Sequence, residues 1–175
     1  MLARTLGFAF VFLAALAVSR PAQAAGAVAL MPPYISTAAA GNGAAVDAAF
    51  RRSLERQGFQ VLPASQVSEE LRHLKIDPTK PQAIATLAKV RESLGVDYVV
   101  YPRILAVGQG AVSKEVQATI LVNVAGTSKG SYLHTRQIAQ KFSHSGPSTS
   151  GAVIPAGAAD LAAAELLKGF YEKAK

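Results

Sequence analysis

Hydrophobic and polar positions follow different periods in the two halves of this 175-residue chain. In the first half, apolar positions recur every three or four residues, as they do on the buried face of a helix. This period predicts three helices, over residues 44–57, 66–74 and 82–94. In the second half, apolar and polar positions alternate in twos. That period predicts three strands, over residues 97–107, 114–125 and 131–142, joined as an antiparallel meander with one wetted face.

Local signals place the elements around the first helix. Two short apolar runs, 27–31 and 59–62, predict buried strands on either side of it. Asn42 and Ser65 are the expected N-caps of the first two helices, because their side chains can accept hydrogen bonds from free backbone N–H groups. Gly95 is the expected stop of the third helix, since glycine adopts the left-handed conformation that ends many helices.

Proline and glycine mark two irregular places in the second half of the chain. Pro102 lies inside a predicted strand, and a bulge or break is expected there because proline has no N–H for the ladder. Residues 143–158 are rich in serine, glycine and proline, which predicts a mobile loop. A last helix is expected to start at Asp160 and to run to about residue 173.

These elements follow the order β-α-β-α-α-β-β-β-α. The order predicts a single α/β domain over residues 25–175, in which helices cover a mixed sheet of about five strands in a three-layer arrangement. The antiparallel meander forms the C-terminal part of that sheet.

The N-terminus has the three parts of a cleavable secretory signal. Arg4 provides the positive charge, residues 6–18 form an apolar run, and Ala22-Gln23-Ala24 is a small-x-small cleavage site. The apolar run is shorter than the roughly 20 residues that span a bilayer. We therefore expect cleavage after Ala24, and no membrane-spanning segment after processing.

Cysteine content and charge narrow the compartment and the partners. The chain has no cysteine, so neither disulfides nor a thioether-linked lipid anchor are expected, and the processed protein is expected in the periplasm or outside the cell. Without residues 1–24, the chain has 16 lysine and arginine residues and 11 aspartate and glutamate residues, which gives a net charge of +5. This balance fits ordinary solubility, and it also fits acidic proteins, anionic lipid or cell-wall polymers as partners. No nucleic-acid partner is expected outside the cytoplasm.

Four stretches of the sequence resemble a known group of envelope domains. They read AVALMPP, GFQVLPASQV, LGVDYVVYPRI and TILVNVAGTSKGSYLHTRQIAQKF. In this order they resemble the periplasmic α/β domain of the TolB amino-terminal, CsgG-like and LpoB-like group. The resemblance covers nearly the whole chain after the signal. It implies an accessory domain of envelope assembly without catalytic activity, and it carries over no site residues.

Two surfaces are candidates for docking a partner. Arg51, Arg52 and Arg56 cluster on the first predicted helix and form a possible basic docking face, although Glu55 pairs with part of it at helical spacing. The second candidate is an exposed edge of the long strands 97–107 and 114–125. If Pro102 blunts one edge, a partner can extend the other by adding a strand of its own.

Candidate catalytic residues lack the supporting pattern that their chemistry needs. Ser128 lies in a Gly-x-Ser-x-Gly run, but both flanks alternate as strands, which favours a hairpin loop over a nucleophile elbow. His73, His134 and His144 are scattered without metal-ligand spacing and are expected on the surface. Asp97 precedes a strand and is expected to bond nearby backbone N–H groups.

A glycine-rich loop is the last candidate site. Gly41-Asn42-Gly43 precedes a helix, but Val46 stands where a phosphate-binding fingerprint needs a third glycine. We therefore expect no cofactor and no metal. The favoured function is a non-enzymatic accessory or scaffold protein of the cell envelope. A small hydrolase of envelope polymers that uses Ser128 or Asp97, and a binder of small ligands at the strand ends near Asp97, remain the alternatives.

Overall fold

The computed structural model describes residues 25–36, 41–109, 115–127, 130–143 and 154–174. Within these ranges a six-stranded mixed sheet is packed between helices, as the sequence predicts. The strands are β1 (Ala27–Leu30), β2 (Tyr34–Ile35), β3 (Gln60–Val61), β4 (Tyr98–Gln109), β5 (Glu115–Ala125) and β6 (Tyr132–Ser143). The helices are α1 (Gly43–Arg56), α2 (Ala64–His73), α3 (Ile84–Leu94) and α4 (Ala156–Lys173). The α/β fold class is confirmed.

The sheet has a parallel part and an antiparallel part that share β4. Its strand order is β3-β1-β4-β5-β6, and β2 pairs with β4 beside this path. Both β1 and β2 run parallel to β4, whereas β4, β5 and β6 form the predicted antiparallel meander. The chain leaves β1 through α1 to reach β3 on one side, and it returns through α2 and α3 to β4 on the other side. The direction of winding therefore reverses at β1.

Residue parity in the strands decides which side of the sheet each side chain packs on. Val28 and Leu30 of β1 join a large core beneath α1 and α4, whereas Ala29 and the following Met31 join a smaller core beneath α2 and α3. This alternation is the two-residue period of an extended chain. The two cores make the three layers that the element order predicts.

An aromatic cluster closes the large core at the amino ends of the strands. The ring centroids of Phe59 and Phe170 lie 5.2 Å apart, and Tyr98 meets Phe170 edge to face at 5.1 Å. Tyr171 also packs on this group, and its hydroxyl lies 2.7 Å from the Ser53 hydroxyl. These contacts fix the C-terminal helix on α1 and on the sheet.

Several predicted helix ends are wrong by a few residues. Ser65 is not an N-cap, because α2 begins at Ala64 and Pro63 occupies the cap position. The last helix begins at Ala156 instead of Asp160, because Pro155 at its cap position already has backbone angles that suit a helix start. Part of the predicted 143–158 loop therefore belongs to α4.

Two other predictions concern single cap residues. Asn42 occupies the N-cap position of α1, but its side chain makes no cap hydrogen bond. Instead, its Oδ1 accepts a hydrogen bond of 2.6 Å from the N–H of Ile154, which ties the start of α1 to the segment before α4. Gly95 ends α3 with φ of 63°, the left-handed conformation expected for it.

The irregularity expected at Pro102 is a break on one side of β4, and the bulge on the other side lies beyond it. Pro102 pairs regularly with Val122, and the register of β4 shifts between Ile104 and Ala106. On its other side β4 pairs with β1 up to Val100 and with β2 from Arg103 onward. Pro102 thus lies at the gap between β1 and β2. Among the described residues no strand pairs with β4 on that side at this position, so the missing N–H of proline interrupts no hydrogen-bond ladder there. A two-residue strand, β2, lies between the predicted strand 27–31 and the first helix, where no strand is predicted.

Candidate functional site

Strand β6 is a long edge of the sheet. It pairs with β5 from Tyr132 to Ser143, and no strand among the described residues pairs with its other side. Along it Thr135, Gln137 and Ala139 are exposed. The opposite edge of the sheet, β3, has only two residues. An edge with unpaired backbone groups over this length is a template for another extended chain.

Contacts with α4 hold one face of β6 in place. The Nε2 of His134 lies 2.7 Å from the carbonyl oxygen of Leu166, and Arg136 pairs with Glu165. A Cβ on Gly169 would lie 3.1 Å from Cε1 of His134, so the close approach of helix and strand depends on a glycine there. Because the strand is fixed from one side, its edge is a preorganised surface.

His134 is buried, with 8% of its surface exposed, and the expectation of a surface histidine is wrong at this position. Its neighbours in β6 alternate between exposed and covered positions, and residue 134 falls on the covered side. His73 lies on the surface as expected, with its Nδ1 3.2 Å from Glu70. His144 and Ser128 lie outside the described residues.

The three arginines of the predicted docking face have different environments. The Nη1 of Arg51 donates a hydrogen bond of 3.0 Å to the carbonyl of Leu62. Arg52 donates from Nε and Nη2 to one carboxylate oxygen of Asp160 in α4, at 3.1 and 2.8 Å. Arg56 is exposed at the end of α1. Two of the three guanidinium groups thus also hold the fold together.

Asp97 has the local role expected for it. Its Oδ2 accepts a hydrogen bond of 2.8 Å from the N–H of Ala27. This places Asp97 at the amino end of β4, whereas a cleft lined by Pro32 and Pro33 lies beyond the carboxyl end of β1. A ligand site that includes both the cleft and Asp97 does not fit this geometry.

The described residues bring no catalytic or metal-binding group together. They hold no cluster of three or more histidine, aspartate or glutamate side chains able to bind a metal ion. Gly126 and Gly130 flank the run that contains Ser128, and strands β5 and β6 lie on its two sides. The hairpin predicted from the flanking alternation is therefore confirmed. None of the described helices is long and apolar enough to cross a membrane.

The fold is similar to those of solved envelope proteins. The chain matches no protein-family model, and no curated protein matches it by sequence. It is similar to Lipoprotein GNA1162 from Neisseria meningitidis, with a TM-score of 0.51, 19% identity, and coverage of 71% of this chain and 86% of that one. It is also similar to the PelC dodecamer from Paraburkholderia phytofirmans, with a TM-score of 0.52, 17% identity, and coverage of 89% and 94%.

The fold is also similar to that of LpoB. The NMR structure of LpoB from E. coli matches with a TM-score of 0.51 and 18% identity, over 65% of this chain and 55% of that chain. The chain has an LpoB-like fold. The resemblance expected from the sequence is confirmed to this extent, whereas membership of the TolB and CsgG branches stays a prediction.

Proposed function

We propose that this protein is a non-enzymatic accessory protein of the bacterial cell envelope, which docks a partner protein along the edge of β6. The single observation that carries the proposal is the length of this edge, from Tyr132 to Ser143, without a pairing strand among the described residues. Main-chain hydrogen bonds to an added strand supply affinity, and the alternating side chains supply specificity. The LpoB-like fold supports the envelope setting.

The charge around this edge favours an acidic partner segment. The described residues of β6 and α4 include four basic side chains and three acidic ones; two of the acids are paired, Glu165 with Arg136 and Asp160 with Arg52 of α1. The basic residues are Arg136, Lys141, Lys168 and Lys173. Complementary charge speeds the encounter of partners and is weakened by salt.

The roles of the candidate catalytic residues support a protein without turnover. Asp97 bonds the backbone of β1, and His134 bonds the backbone of α4. Each side chain therefore has a structural use that the accessory function accounts for. We expect activity in the envelope to survive Asp97→Asn as long as the protein folds, whereas a hydrolase that uses Asp97 requires its loss.

The basic helix face is the second candidate surface. Arg56 is exposed, and Arg51 and Arg52 lie one turn before it on α1. Anionic lipid, cell-wall polymer or an acidic protein would each fit this cluster of three arginines. The edge of β6 is favoured because two of these guanidinium groups already bind Leu62 and Asp160 within the fold.

A photo-crosslinking amino acid at Gln137 tests the proposal in intact cells, with the same amino acid at Glu92 as control. Both positions are exposed, but Glu92 lies on α3 and is not part of the β6 edge. We expect Gln137 to capture an envelope protein that Glu92 does not capture, and Lys141→Glu to reduce the yield more than Lys89→Glu. Capture of a second copy of this chain would instead indicate self-assembly, as in the dodecamer of its structural neighbour. Equal capture from both positions would contradict docking at β6.

A further inference from the structure

A cleft of about 290 Å³ lies at the carboxyl end of β1. Its walls come from the segment after β1, the first turns of α1 and the start of α2. In open α/β sheets, ligands bind beyond the carboxyl ends of the strands, at the point where the winding direction reverses. In this fold that point is β1, which has β3 on one side and β4 on the other. The lining includes Leu30, Pro32, Pro33, Ala44, Asp47 and Ala64.

Among the described residues that line the cleft, Asp47 is the one charged residue. The rest of the lining is apolar, and Asp47 itself is half-buried. Among the described residues its carboxylate has no hydrogen bond, and no lysine or arginine nitrogen lies within 4.0 Å of it. Arg51, one turn later, is the nearest candidate, but its Nη1 is bound to the carbonyl of Leu62. Burial raises the pKa of Asp47, and the charge of Arg51 lowers it only in part.

A half-buried carboxylate without a hydrogen-bond donor is stabilised by any cation that reaches it. Charge-assisted hydrogen bonds from ammonium or guanidinium groups are the strongest that a carboxylate accepts. Lysine and arginine side chains combine such a head group with an apolar stem. The proline-lined walls suit that stem, and Asp47 suits the head group.

A second compartment indicates that the occupant is part of a chain. It has a volume of about 220 Å³, and it shares Pro32 and Pro33 with the first while adding Ile35, Pro78 and Thr79. The two prolines thus form a ridge between the compartments. The first volume lies at the lower limit of the roughly 300–1,000 Å³ of small-molecule sites and the second lies below it, so we assign one side chain to each compartment. None of the described residues that line the second compartment is charged, so this compartment suits an apolar side chain.

We propose that this cleft binds a lysine or arginine side chain from an extended segment of a partner protein, with its cationic head group on the Asp47 carboxylate. A neighbouring apolar residue of the same segment occupies the compartment beyond Pro32 and Pro33. The site is separate from β6, and it requires a basic partner segment instead of an acidic one. The proposal for this cleft can therefore be correct whether or not β6 docks a partner.

Amide NMR shifts of the ¹⁵N-labelled protein test this site with two short peptides. One is an acetylated and amidated Val-Lys-Leu-Val, and the other has norleucine in place of lysine, which keeps the stem and removes the charge. We expect saturable shifts at Ala44, Asp47 and Ala64 with the lysine peptide, and about 10-fold weaker binding of the norleucine peptide. Lowering the pH through the pKa of Asp47 is expected to remove this preference.

Variants on α1 provide matched controls. Asp47→Asn keeps the shape of the side chain and is expected to bind both peptides equally weakly. Glu55→Gln removes an exposed carboxylate from the same helix and is expected to keep the preference for lysine. Equal binding of the two peptides by the unmodified protein, or an unchanged preference in Asp47→Asn, would overturn the proposal. Butylammonium that binds as tightly as the lysine peptide would overturn the assignment to a partner chain.

Discussion

The two halves of the sheet differ in how many of their faces are covered. In the parallel half, Leu30 packs beneath α1 while the adjacent Met31 packs beneath α2 and α3, so both faces are buried. In the meander, Ile120 lies beneath α4 with 1% of its surface exposed, whereas Leu121 on the other face is only half-buried. Both faces of the parallel half are thus covered. In the meander, the face of Leu121 is buried only at Asn123 and Ala125, and it is accessible from Leu121 to Gln117.

The largest expected effect is a difference in unfolding free energy between two truncations in β5. The two residues are neighbours, and their side chains lie on opposite faces of the sheet. Ile120→Ala is expected to lower the free energy of unfolding by about 2–5 kcal/mol, because it leaves a cavity in the large core. Leu121→Ala is expected to cost about 1 kcal/mol, because its side chain is already half in water. Urea unfolding of both variants measures the difference. Equal costs would mean that both faces of the meander are covered.

His134 tests the attachment of the edge strand to α4. His134→Ala is expected to cost about 1–3 kcal/mol, since a buried side chain and its hydrogen bond to the Leu166 carbonyl are lost. Gln137→Ala, three residues further along the same strand, is exposed and is expected to change stability by about 0.5 kcal/mol or less. A cost at residue 134 no larger than that at residue 137 would show that α4 does not fix β6. Urea unfolding of both variants measures these costs.

The ion pair between α1 and α4 is expected to have a smaller effect. Asp160→Asn removes the charge that pairs with Arg52, and the two side chains are 30% and 41% exposed. Partly exposed pairs of this kind contribute below about 1 kcal/mol. Thermal unfolding at low and high salt checks this, since the effect is expected to shrink as salt screens the pair. Glu172→Gln on the exposed surface of α4 is the control, and a salt-independent loss would contradict an ionic role for the pair.

Substitution of Asp47 is expected to have the smallest effect on stability, and this effect is expected to depend on pH. Burial raises the pKa of this carboxyl in the folded state, so its ionisation opposes folding. Its contribution to stability is therefore present at low pH and is lost as the pH rises through the folded pKa. Asp47→Asn is expected to be more stable than the unmodified protein at neutral pH and to lose this advantage in acid. Unfolding curves across pH check this, and a gain that persists in acid would contradict it.

The hydrophobic period and the order of the elements predicted those helices and strands that have one whole face buried in a core. The alternation in β5, for example, is imposed by a core that covers one side along the whole strand. The strand β2 was not predicted, because its two residues, Tyr34 and Ile35, are too few to show a period. The burial of His134 was not predicted either. It depends on the close approach of α4, which is permitted by Gly169, a residue 35 positions further along the chain.

The two proposed sites differ in how visible they were in the sequence. A long exposed edge was expected on the strands 97–107 and 114–125, whereas the outermost strand of the meander is β6. Asp47 gave no signal of its own, since an acidic residue near the start of a helix is common on protein surfaces. Its significance comes from Pro32 and Pro33, which the winding of the chain around β1 brings close to it.

Amide hydrogen exchange of β6 tests the central claim most directly. The measurement compares the purified protein alone with its complex with the envelope protein captured through Gln137. Strand addition predicts slower exchange of amides between Tyr132 and Ser143 in the complex, with unchanged exchange in α3. Slower exchange confined to the region around Arg56 on α1, or no change along β6, would contradict the claim that the partner docks on this edge.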